Sequence, residues 1–557
     1  MVKHDIVVVG AGLAGLRAAI EANEKGADVA VLSKLHPVRS HSDQAQGGIN
    51  ASLGENDSWE KHAFDTVKGS DYLADQDAVE LMCKDAPRAI IELEHWGVLF
   101  NRAESGRLAQ RPFGGAGFPR TCFAADKTGH VLQTTIWEQS RRSDVEIYEE
   151  WFATSLVVKD NVCKGLTAVQ ILTGDVQAIE VKAVILATGG MGQVYSKTTN
   201  SLTTTGDGIA MAYNAGLPIE DMEFVQFHPT SLYGSNILIS EGARGEGGYL
   251  VNASGERFMK RYAPDKMELA PRDIVSRSIE TEIKEGRGFE GGYVRLDLRH
   301  LGEAKINERL PTIRELAMYF AGVDPVNEPI PIQPAQHYTM GGVPTDSDGV
   351  TSIKGLYAAG ECACVSVHGA NRLGGNSLLD TVVFGKRAGA KAAEYVKESP
   401  TTDFPEAALK EEEKRIETIL NRKDGVKPSE IKTALGNLMF DRVGIFRIRR
   451  DLETAKRNVA ALQSQFQNVC AKDSSRKFNT SLTETLEMGF ALDLAEVIVA
   501  CALARKESRG AHSRVDYPKR DDAKWLKHTL ATRTVEGPKL SYRPVTITRF
   551  QPEARGY

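Results

Sequence analysis

The sequence predicts an α/β chain in which a discontinuous nucleotide-binding domain is interrupted by an inserted α+β domain and followed by helices. A strand, glycine turn, helix and strand occupy residues 3–34, and two further strands that end in glycine turns occupy 182–192 and 355–361. Near residue 404 the pattern changes to helical periodicity. At 557 residues the chain is too long for one compact core, so several domains are expected.

The first element is the nucleotide-binding unit KHDIVVVGAGLAGLRAAIEANEKGADVAVLSK. Its first strand is a continuous apolar run, as expected where helices cover both faces of a parallel sheet. The G-x-G-x-x-G at residues 10–15 permits a tight turn and brings the helix amino terminus close to a pyrophosphate. Ser33 and Lys34 replace the acid that usually holds the adenosine ribose, which argues against NAD.

The two later glycine-ended strands, KAVILATGGMG and GLYAAGE, indicate FAD. In flavoproteins of this fold, an acid placed like Glu361 hydrogen-bonds the ribityl or ribose hydroxyls of the cofactor. Because residues far apart in the chain belong to this one domain, a folded segment has to lie between them. The predicted boundaries are 1–225 and 341–400 for the FAD-binding domain and 226–340 for the insertion.

The rest of the chain predicts helices and then a less regular end. Apolar positions recur at spacings of three and four in FPEAALKEEEKRIETILNR, SEIKTALGNLMFDRVGIFR and RRDLETAKRNVAALQSQFQ, with Gly425 and Pro428 marking a turn. A helical domain is therefore predicted over 401–522. The C-terminal segment 523–557 is predicted to be irregular, with a short strand pair.

Composition excludes several classes of function. A net charge of −5 lacks the basic excess that a nucleic-acid partner would favour, which leaves only a local basic patch open. The most apolar run, residues 491–504, contains Asp493 and Glu496, so no membrane-spanning segment is predicted. The first strand begins by about residue 5, so no signal or transit segment is expected, and a prokaryotic cytoplasmic location follows. Seven cysteines without a C-x-x-C pair predict reduced thiols and no metal site, so any iron–sulfur centre would lie in another chain.

Several long motifs distributed along the chain resemble one enzyme family. They are HPVRSHSDQAQGG (36–48), QFHPT (226–230), EGARGEGGYL (241–250), HYTMGG (337–342), HGANRLGGNSLLD (368–380) and ESRGAHSRVDYPKRDD (507–522). Together they resemble the flavoprotein subunit of succinate dehydrogenase and fumarate reductase over essentially the whole chain. The resemblance implies a Rossmann-like FAD-binding domain, an α+β capping domain at 226–340, a helical domain and an irregular tail.

By this resemblance, His41 is the histidine bonded covalently to the flavin. An electron-withdrawing histidyl substituent would favour reduced flavin, which suits a poor reductant such as succinate. The other residues expected to contact FAD are Gly10, Ala11, Gly12, Gly15, Ser33, Lys34, Ser40, Ser42, Gln46, Gly47, Gly48, Asp207, Glu361, Ser377 and Leu378.

The resemblance also implies the substrate site. Arg372 would bind one carboxylate bidentately, with the expected hydrogen-bond donors His228, His337 and Ser240, the last replacing a more usual threonine. Arg272 would transfer the proton opposite the hydride, and Glu241 and Arg244 would relay that proton towards solvent. A guanidinium has a pKa above about 12, so Arg272 can act only through such a relay.

The preferred prediction is succinate oxidation, with electrons passing to an iron–sulfur subunit, membrane-anchor subunits and a quinone, on the cytoplasmic side of the cell membrane. Gln46 supports this direction, because many quinol-linked fumarate reductases carry glutamate at that position. Three alternatives remain open: fumarate reduction, L-aspartate oxidase, and an electron-transfer module without its own substrate. L-aspartate oxidase normally lacks the covalent histidine, and an electron-transfer module would not need the arginine and histidine set.

Overall fold

The structure is a computed structural model that describes residues 2–400 and 403–555. Its largest sheet has seven strands, five of them in the parallel part that the apolar strand Val2–Val9 organises. The path through the sheet is Glu146–Glu149, Val29–Ser33, Val2–Val9, Val176–Leu186, Val162–Gln170 and Trp151–Lys159, the last two being antiparallel. Leu356–Ala358 pairs with the carboxyl half of Val176–Leu186, so a late segment completes an early sheet, as predicted.

Helices cover this sheet and small residues let them approach. The helices are Leu13–Glu24, Trp59–Gly69, Gln76–Trp96, Thr128–Ser140, Asp207–Asn214 and Asn376–Glu398. The first and last of these pack closely, because a Cβ at Gly389 would lie 2.2 Å from the carbonyl oxygen of Ala18. Two short strands, Ile49–Asn50 and Gln110–Arg111, flank Thr121–Cys122 beside the sheet.

Residues 226–340, here named the capping segment, form their own layer. A four-stranded antiparallel sheet contains Val225–Leu232, Ile330–Thr339, Val294–Asp297 and Tyr249–Val251. Its helices are Glu241–Gly245, Met259–Tyr262, Arg272–Lys284, Glu303–Arg309 and Pro311–Ala321. The chain enters and leaves through two paired strands, and the apolar core between them draws only on residues 232–332. The other parts of the predicted FAD-binding domain, 1–225 and 341–400, are named the nucleotide-binding segments.

Among the described residues after these segments, four long helices follow, at Glu406–Asn421, Pro428–Val443, Arg449–Phe466 and Thr480–Ala504, and a short one at Asp522–Trp525. The long helix Thr480–Ala504 is apolar because it is surrounded by protein: Leu494, Val497 and Ile498 are fully buried in the main core. No helix in the described part of the chain combines the length and apolarity needed to cross a membrane. All seven cysteines lie among the described residues, and all are free thiols.

The C-terminal segment is more regular than predicted. The expected short strand pair is a hairpin of two eight-residue strands, Lys527–Thr534 and Gly537–Pro544, paired along their whole length. Ile219–Glu220 extends this hairpin into a three-stranded sheet. The hairpin is anchored by buried charge, since His528 donates to Asp221 at 2.6 Å, a contact between residues 307 apart.

Candidate functional site

One cleft joins the glycine turn to the capping segment. It is lined by nearly all of the predicted site residues, namely Gly10, Ala11, Gly12, Ser33, Lys34, Ser40, His41, Ser42, Gln46, Gly47, Gly48, Asp207, His228, Ser240, Glu241, Arg272, His337, Glu361, Arg372, Ser377 and Leu378. The two predicted residues outside this lining are Gly15 and Arg244. Groups proposed for a cofactor and groups proposed for a substrate therefore share one continuous space.

The glycine turn shows why these positions lack side chains. Gly10 has a φ of +110°, and a Cβ there would lie 2.3 Å from the carbonyl oxygen of Ala187. A Cβ at Gly15 would lie 1.9 Å from the carbonyl oxygen of Gly10, so Gly15 allows helix and strand to pack and does not itself face the cleft. Ser42 Oγ accepts a hydrogen bond from the backbone N–H of Leu13 at 3.2 Å.

The residues around the glycine turn include groups that can bind a pyrophosphate. The hydroxyl of Ser40 is buried at the cleft and has no hydrogen-bond partner in the described part of the chain. Gly12 is the N-cap of helix Leu13–Glu24 and has no side chain to occupy the space above the helix amino terminus. Unpaired N–H groups at such a terminus favour a phosphate. The residues present fit the pyrophosphate of FAD.

Lys34 and Asp207, both predicted to contact FAD, also contact each other. Lys34 Nζ lies 2.7 Å from Asp207 and 2.7 Å from Glu487 of helix Thr480–Ala504. Burial alone would lower the pKa of Lys34, but the two carboxylates raise it above its ordinary value. Lys34 therefore stays charged and ties the helical region to the end of the cleft where the usual ribose-binding acid is missing.

His41 is half-buried at the cleft, and its ring is held by the segment that follows the strand Val176–Leu186. The backbone N–H of Ser201 donates to His41 Nδ1 at 3.3 Å, and Asn200 Nδ2 lies 3.1 Å from Nε2. Burial lowers the pKa of His41 to about 4, although a hydrogen bond with Gln44 opposes the shift. The imidazole is therefore neutral near pH 7 and retains a nitrogen lone pair.

Gln46 connects the nucleotide-binding segments to the capping segment. Its Nε2 donates to the carbonyl oxygen of Leu238 at 3.0 Å, and its Oε1 accepts from the backbone N–H of Ser240 at 3.1 Å. A glutamate could accept from Ser240 but could not donate to Leu238. Ser240 in turn caps the short helix Glu241–Gly245, with its Oγ accepting from the N–H of Gly242 at 3.0 Å.

Two buried arginines converge on one neutral side chain. Arg272 Nη1 and Arg372 Nη2 both donate to Gln226 Oε1, each at 3.2 Å. The guanidinium of Arg372 also lies over the ring of Tyr338, 4.3 Å from its centroid, and its Nε has no partner among the described residues. Burial, followed by repulsion from Arg272, lowers the pKa of Arg372 to about 9. The two buried guanidiniums, here named the cationic corner, would be stabilised by a bound anion.

Arg272 begins a line of charged groups that leaves the cleft. Its Nε donates to Glu241 Oε2 at 2.7 Å, and Glu241 lies 3.9 Å from Arg244. The other oxygen of Glu241 accepts from the N–H of Gly114 at 2.6 Å. Burial would raise the pKa of Glu241, but Arg272 and Arg244 hold it below its ordinary value. Arg244 is thus a neighbour of Glu241 on the side away from the cleft.

His228 and His337 face each other with ring centroids 4.8 Å apart. His228 Nδ1 contacts Thr230, and His337 Nδ1 lies 2.7 Å from Thr199 Oγ1. Burial lowers the pKa of both rings far below the ordinary value, and nearby arginines lower it further. Both histidines are therefore neutral at physiological pH.

Glu361 also lines the cleft and accepts from the N–H of Thr339 at 3.0 Å. Burial raises its pKa to about 7.

One set of side chains, Glu220, Asp221 and Cys364, brings three ligand-type atoms within 4.8 Å of one another. Both of these carboxylates are already engaged by His528 or Arg543, which gives no reason to place a metal there.

Sequence reasoning missed the residues that support the site. Gln226 and Tyr338 stand inside the motifs QFHPT and HYTMGG, which is the only signal that could have found them. Thr199 and Asn200 lie in a loop, and only the fold brings them to His337 and His41.

Comparison with known families and proteins gives a consistent result. The FAD binding domain family matches residues 5–378, and the family described as fumarate reductase flavoprotein C-term matches residues 432–557. The succinate dehydrogenase flavoprotein subunit of Rickettsia bellii is 47% identical, over 99% of this chain and 97% of that protein. The fumarate reductase flavoprotein subunit of Mycobacterium tuberculosis is 46% identical, over 100% and 99%.

Among solved structures, E. coli quinol fumarate reductase carrying a point mutation superposes with a TM-score of 0.96 at 43% identity. That similarity covers 100% of this chain and 99% of the other. Relatives named for opposite directions of one reaction are thus about equally similar, and each similarity spans almost the entire chain.

Proposed function

Because this chain belongs to the succinate dehydrogenase and fumarate reductase flavoprotein family, we propose that it oxidises succinate to fumarate. The single observation that carries the choice of substrate class is the buried pair Arg272 and Arg372, which share a neutral acceptor at the end of the cofactor cleft. One carboxylate of a dicarboxylate would supply the anionic partner that Arg372 lacks among the described residues. Its second carboxylate would bind the neutral donors His228, His337 and Ser240.

The reaction removes a hydride and a proton from adjacent carbons. When bound, FAD supplies the two-electron acceptor for the hydride. The protein has to hold the dicarboxylate between the cofactor and Arg272, which lies on the capping segment. Closure of this segment over the cleft excludes water from the transfer.

The proton would leave through the line of charged side chains. Arg272 donates its Nε–H to Glu241, which stands beside Arg244. As Arg272 takes the proton from succinate it passes its own proton to Glu241, so the guanidinium does not stay neutral. Arg244 donates to the backbone oxygen of Glu268, whose carboxylate pairs with the partly exposed Arg257. These contacts hold Arg244 beside Glu241, whereas the carbonyl oxygen of Glu268 accepts a hydrogen bond and does not relay the proton further.

A covalent bond between His41 and the flavin is part of the proposal. A low pKa leaves the imidazole uncharged, as formation of a carbon–nitrogen bond requires, and Asn200 and Ser201 fix the ring at the cleft. The electron-withdrawing substituent would raise the flavin potential into the range that succinate can reduce.

Gln46 favours succinate oxidation as the direction of catalysis. A neutral amide adds no negative charge near reduced, anionic flavin, which favours accumulation of the reduced form during succinate oxidation. Fumarate reduction is the second candidate, because a relative named fumarate reductase flavoprotein subunit is 46% identical. Comparing the two initial rates in one preparation would distinguish them.

The partners follow from the same family membership. We expect electrons to pass to an iron–sulfur subunit and, through membrane-anchor subunits, to a quinone, which would place this chain on the cytoplasmic side of the cell membrane. Co-purification of an iron–sulfur protein and membrane proteins with the tagged chain would test this arrangement.

The experiment for the proposed function combines two measurements on wild type and His41→Ala. Flavin fluorescence on a denaturing gel reports the covalent bond, and reduction of an artificial acceptor dye reports succinate oxidation. Wild type should show both, whereas the variant should lose both and retain some fumarate reduction. Flavin that washes out of wild type, together with oxidation of aspartate instead of succinate, would replace this function with that of an L-aspartate oxidase.

A further inference from the structure

Arg555, the last described residue of the chain, contacts both the capping segment and the nucleotide-binding segments. The side chain of Arg555 is 10% exposed; its Nη2 donates to Asp273 of the capping segment at 2.7 Å, and its Nε lies 3.2 Å from Asp71 of the nucleotide-binding segments. Its Nη1 also donates to the carbonyl oxygen of Gly69 at 3.5 Å. Burial would raise the pKa of Asp273, but Arg555 and Arg277 hold it at about 2.

One of these contacts is to the residue next to Arg272, and another leads to the residue next to Arg372 through a shared carbonyl oxygen. Asp273 directly follows Arg272 at the start of helix Arg272–Lys284. The carbonyl oxygen of Gly69 also accepts from Asn371 Nδ2 at 3.0 Å, and Asn371 directly precedes Arg372. Arg555, which does not line the cleft, therefore contacts the residue after Arg272 directly and the residue before Arg372 through the carbonyl oxygen of Gly69.

Asp71, which Arg555 contacts, is held by several other parts of the chain. Asp71 has a φ of +56°, an uncommon conformation for a residue other than glycine. Its carboxylate also accepts from the backbone N–H of Gly510 and from Arg520 Nη1, each at 2.8 Å. Arg277 of the capping segment donates to the carbonyl oxygen of Gly510 at 2.7 Å. The residue that binds Asp71 through its N–H therefore also contacts the capping segment.

We propose that Arg555 is a positioning residue that sets the spacing between Arg372, which binds one carboxylate, and the capping segment, whose His228, His337 and Ser240 bind the other. This spacing sets the length of dicarboxylate that the site accepts. This inference rests on the proposed function, since it concerns how the same site selects its substrate. Without Arg555, each site arginine keeps its own contacts to Gln226, but helix Arg272–Lys284 and the Gly69 carbonyl that binds Asn371 lose their common contact. A spacing error of about 1 Å can cost about 100-fold in rate.

The test compares Arg555→Ala with Arg549→Ala in the flavin-loaded protein. Arg549 is a matched control on the same C-terminal tail: its Nε lies 3.3 Å from Glu80, and its guanidinium lies 5.0 Å from the ring centroid of Trp59. Both of these partners lie in the nucleotide-binding segments. Removing Arg549 therefore loosens the tail without cutting a link to the capping segment.

The decisive readout is discrimination by chain length. The Michaelis constant for succinate and the inhibition constants for malonate and glutarate, which are one carbon shorter and longer, are measured for each variant. Arg555→Ala should raise the succinate constant about tenfold and bring the three constants closer together, while Arg549→Ala should leave their ratios unchanged. Asp273→Asn should shift the ratios in the same direction, and the double variant should add little further.

Arg555→Lys guards against general unfolding, because it keeps one charged contact but cannot reach three acceptors at once. It should melt near the wild-type temperature and still lose length discrimination. Unchanged ratios in Arg555→Lys and Arg555→Ala, with succinate activity in wild type, would overturn this inference alone. A wild-type protein that does not oxidise succinate would instead overturn the proposed function.

Discussion

Replacing Gln226 by glutamate tests whether Arg372, beside Arg272, binds a substrate carboxylate. The change keeps the shape of the side chain but puts a negative charge where Arg272 and Arg372 each donate at 3.2 Å. The new carboxylate would neutralise part of the positive charge that attracts the dicarboxylate. It would also repel any carboxylate bound to the other edge of Arg372.

The size of this effect follows from the geometry. Two carboxylates on one guanidinium lie roughly 6 Å apart, and at an effective dielectric constant of about 20 their repulsion is about 3 kcal/mol. That corresponds to about a 100-fold increase in the Michaelis constant for succinate. Gln226→Met is the control, because it removes the hydrogen bonds to both arginines and to Asn371 without adding charge.

Steady-state succinate oxidation with an acceptor dye at constant ionic strength gives the Michaelis constant for wild type and both variants. Gln226→Glu should exceed Gln226→Met by at least about tenfold. Equal constants in the two variants would refute the idea that this cationic corner holds the substrate.

Three further predictions concern separate parts of the molecule. His41→Ala should abolish flavin fluorescence on a denaturing gel and lower the flavin potential measured by redox titration. Tyr338→Leu should raise the Michaelis constant for succinate about 30-fold by removing the ring under Arg372, whereas Tyr338→Phe, which keeps the ring, should change it less than about threefold. Burial opposes protonation of His528, but Asp221, Asp75 and Glu220 raise its pKa to about 10, above the ordinary 6.5. Its stabilisation is complete below pH 6.5 and lost as the pH rises through 10, so thermal unfolding should show a His528→Gln deficit that is largest near pH 6.

The sequence predicted the parts of the fold and site that depend on local pattern. Apolar strands with glycine turns identified the sheet and its discontinuity, and almost every residue expected at the site lines the cleft. The exceptions have physical causes. Gly15 was expected at the cofactor because it belongs to the glycine motif, but its missing side chain makes room for the backbone of Gly10.

Contacts between distant segments could not be predicted from pattern. Lys34 and Glu487 are 453 residues apart, and nothing local marks Glu487 as the partner of a lysine at the cofactor cleft. The regular hairpin in the tail was underestimated because strand Gly537–Pro544 is largely exposed and lacks an alternating apolar pattern. Gln226 had no visible role until the fold brought two arginines to the same amide oxygen.

The most direct test of the central claim is anaerobic mixing of the flavin-loaded protein with succinate in the absence of any electron acceptor. The visible absorbance of the flavin is followed over time, with aspartate as the comparison substrate. Bleaching by succinate but not by aspartate, and its loss in Arg372→Ala, is the predicted result. Flavin that stays oxidised in excess succinate, or that aspartate bleaches instead, would contradict the assignment of a dicarboxylate-oxidising site.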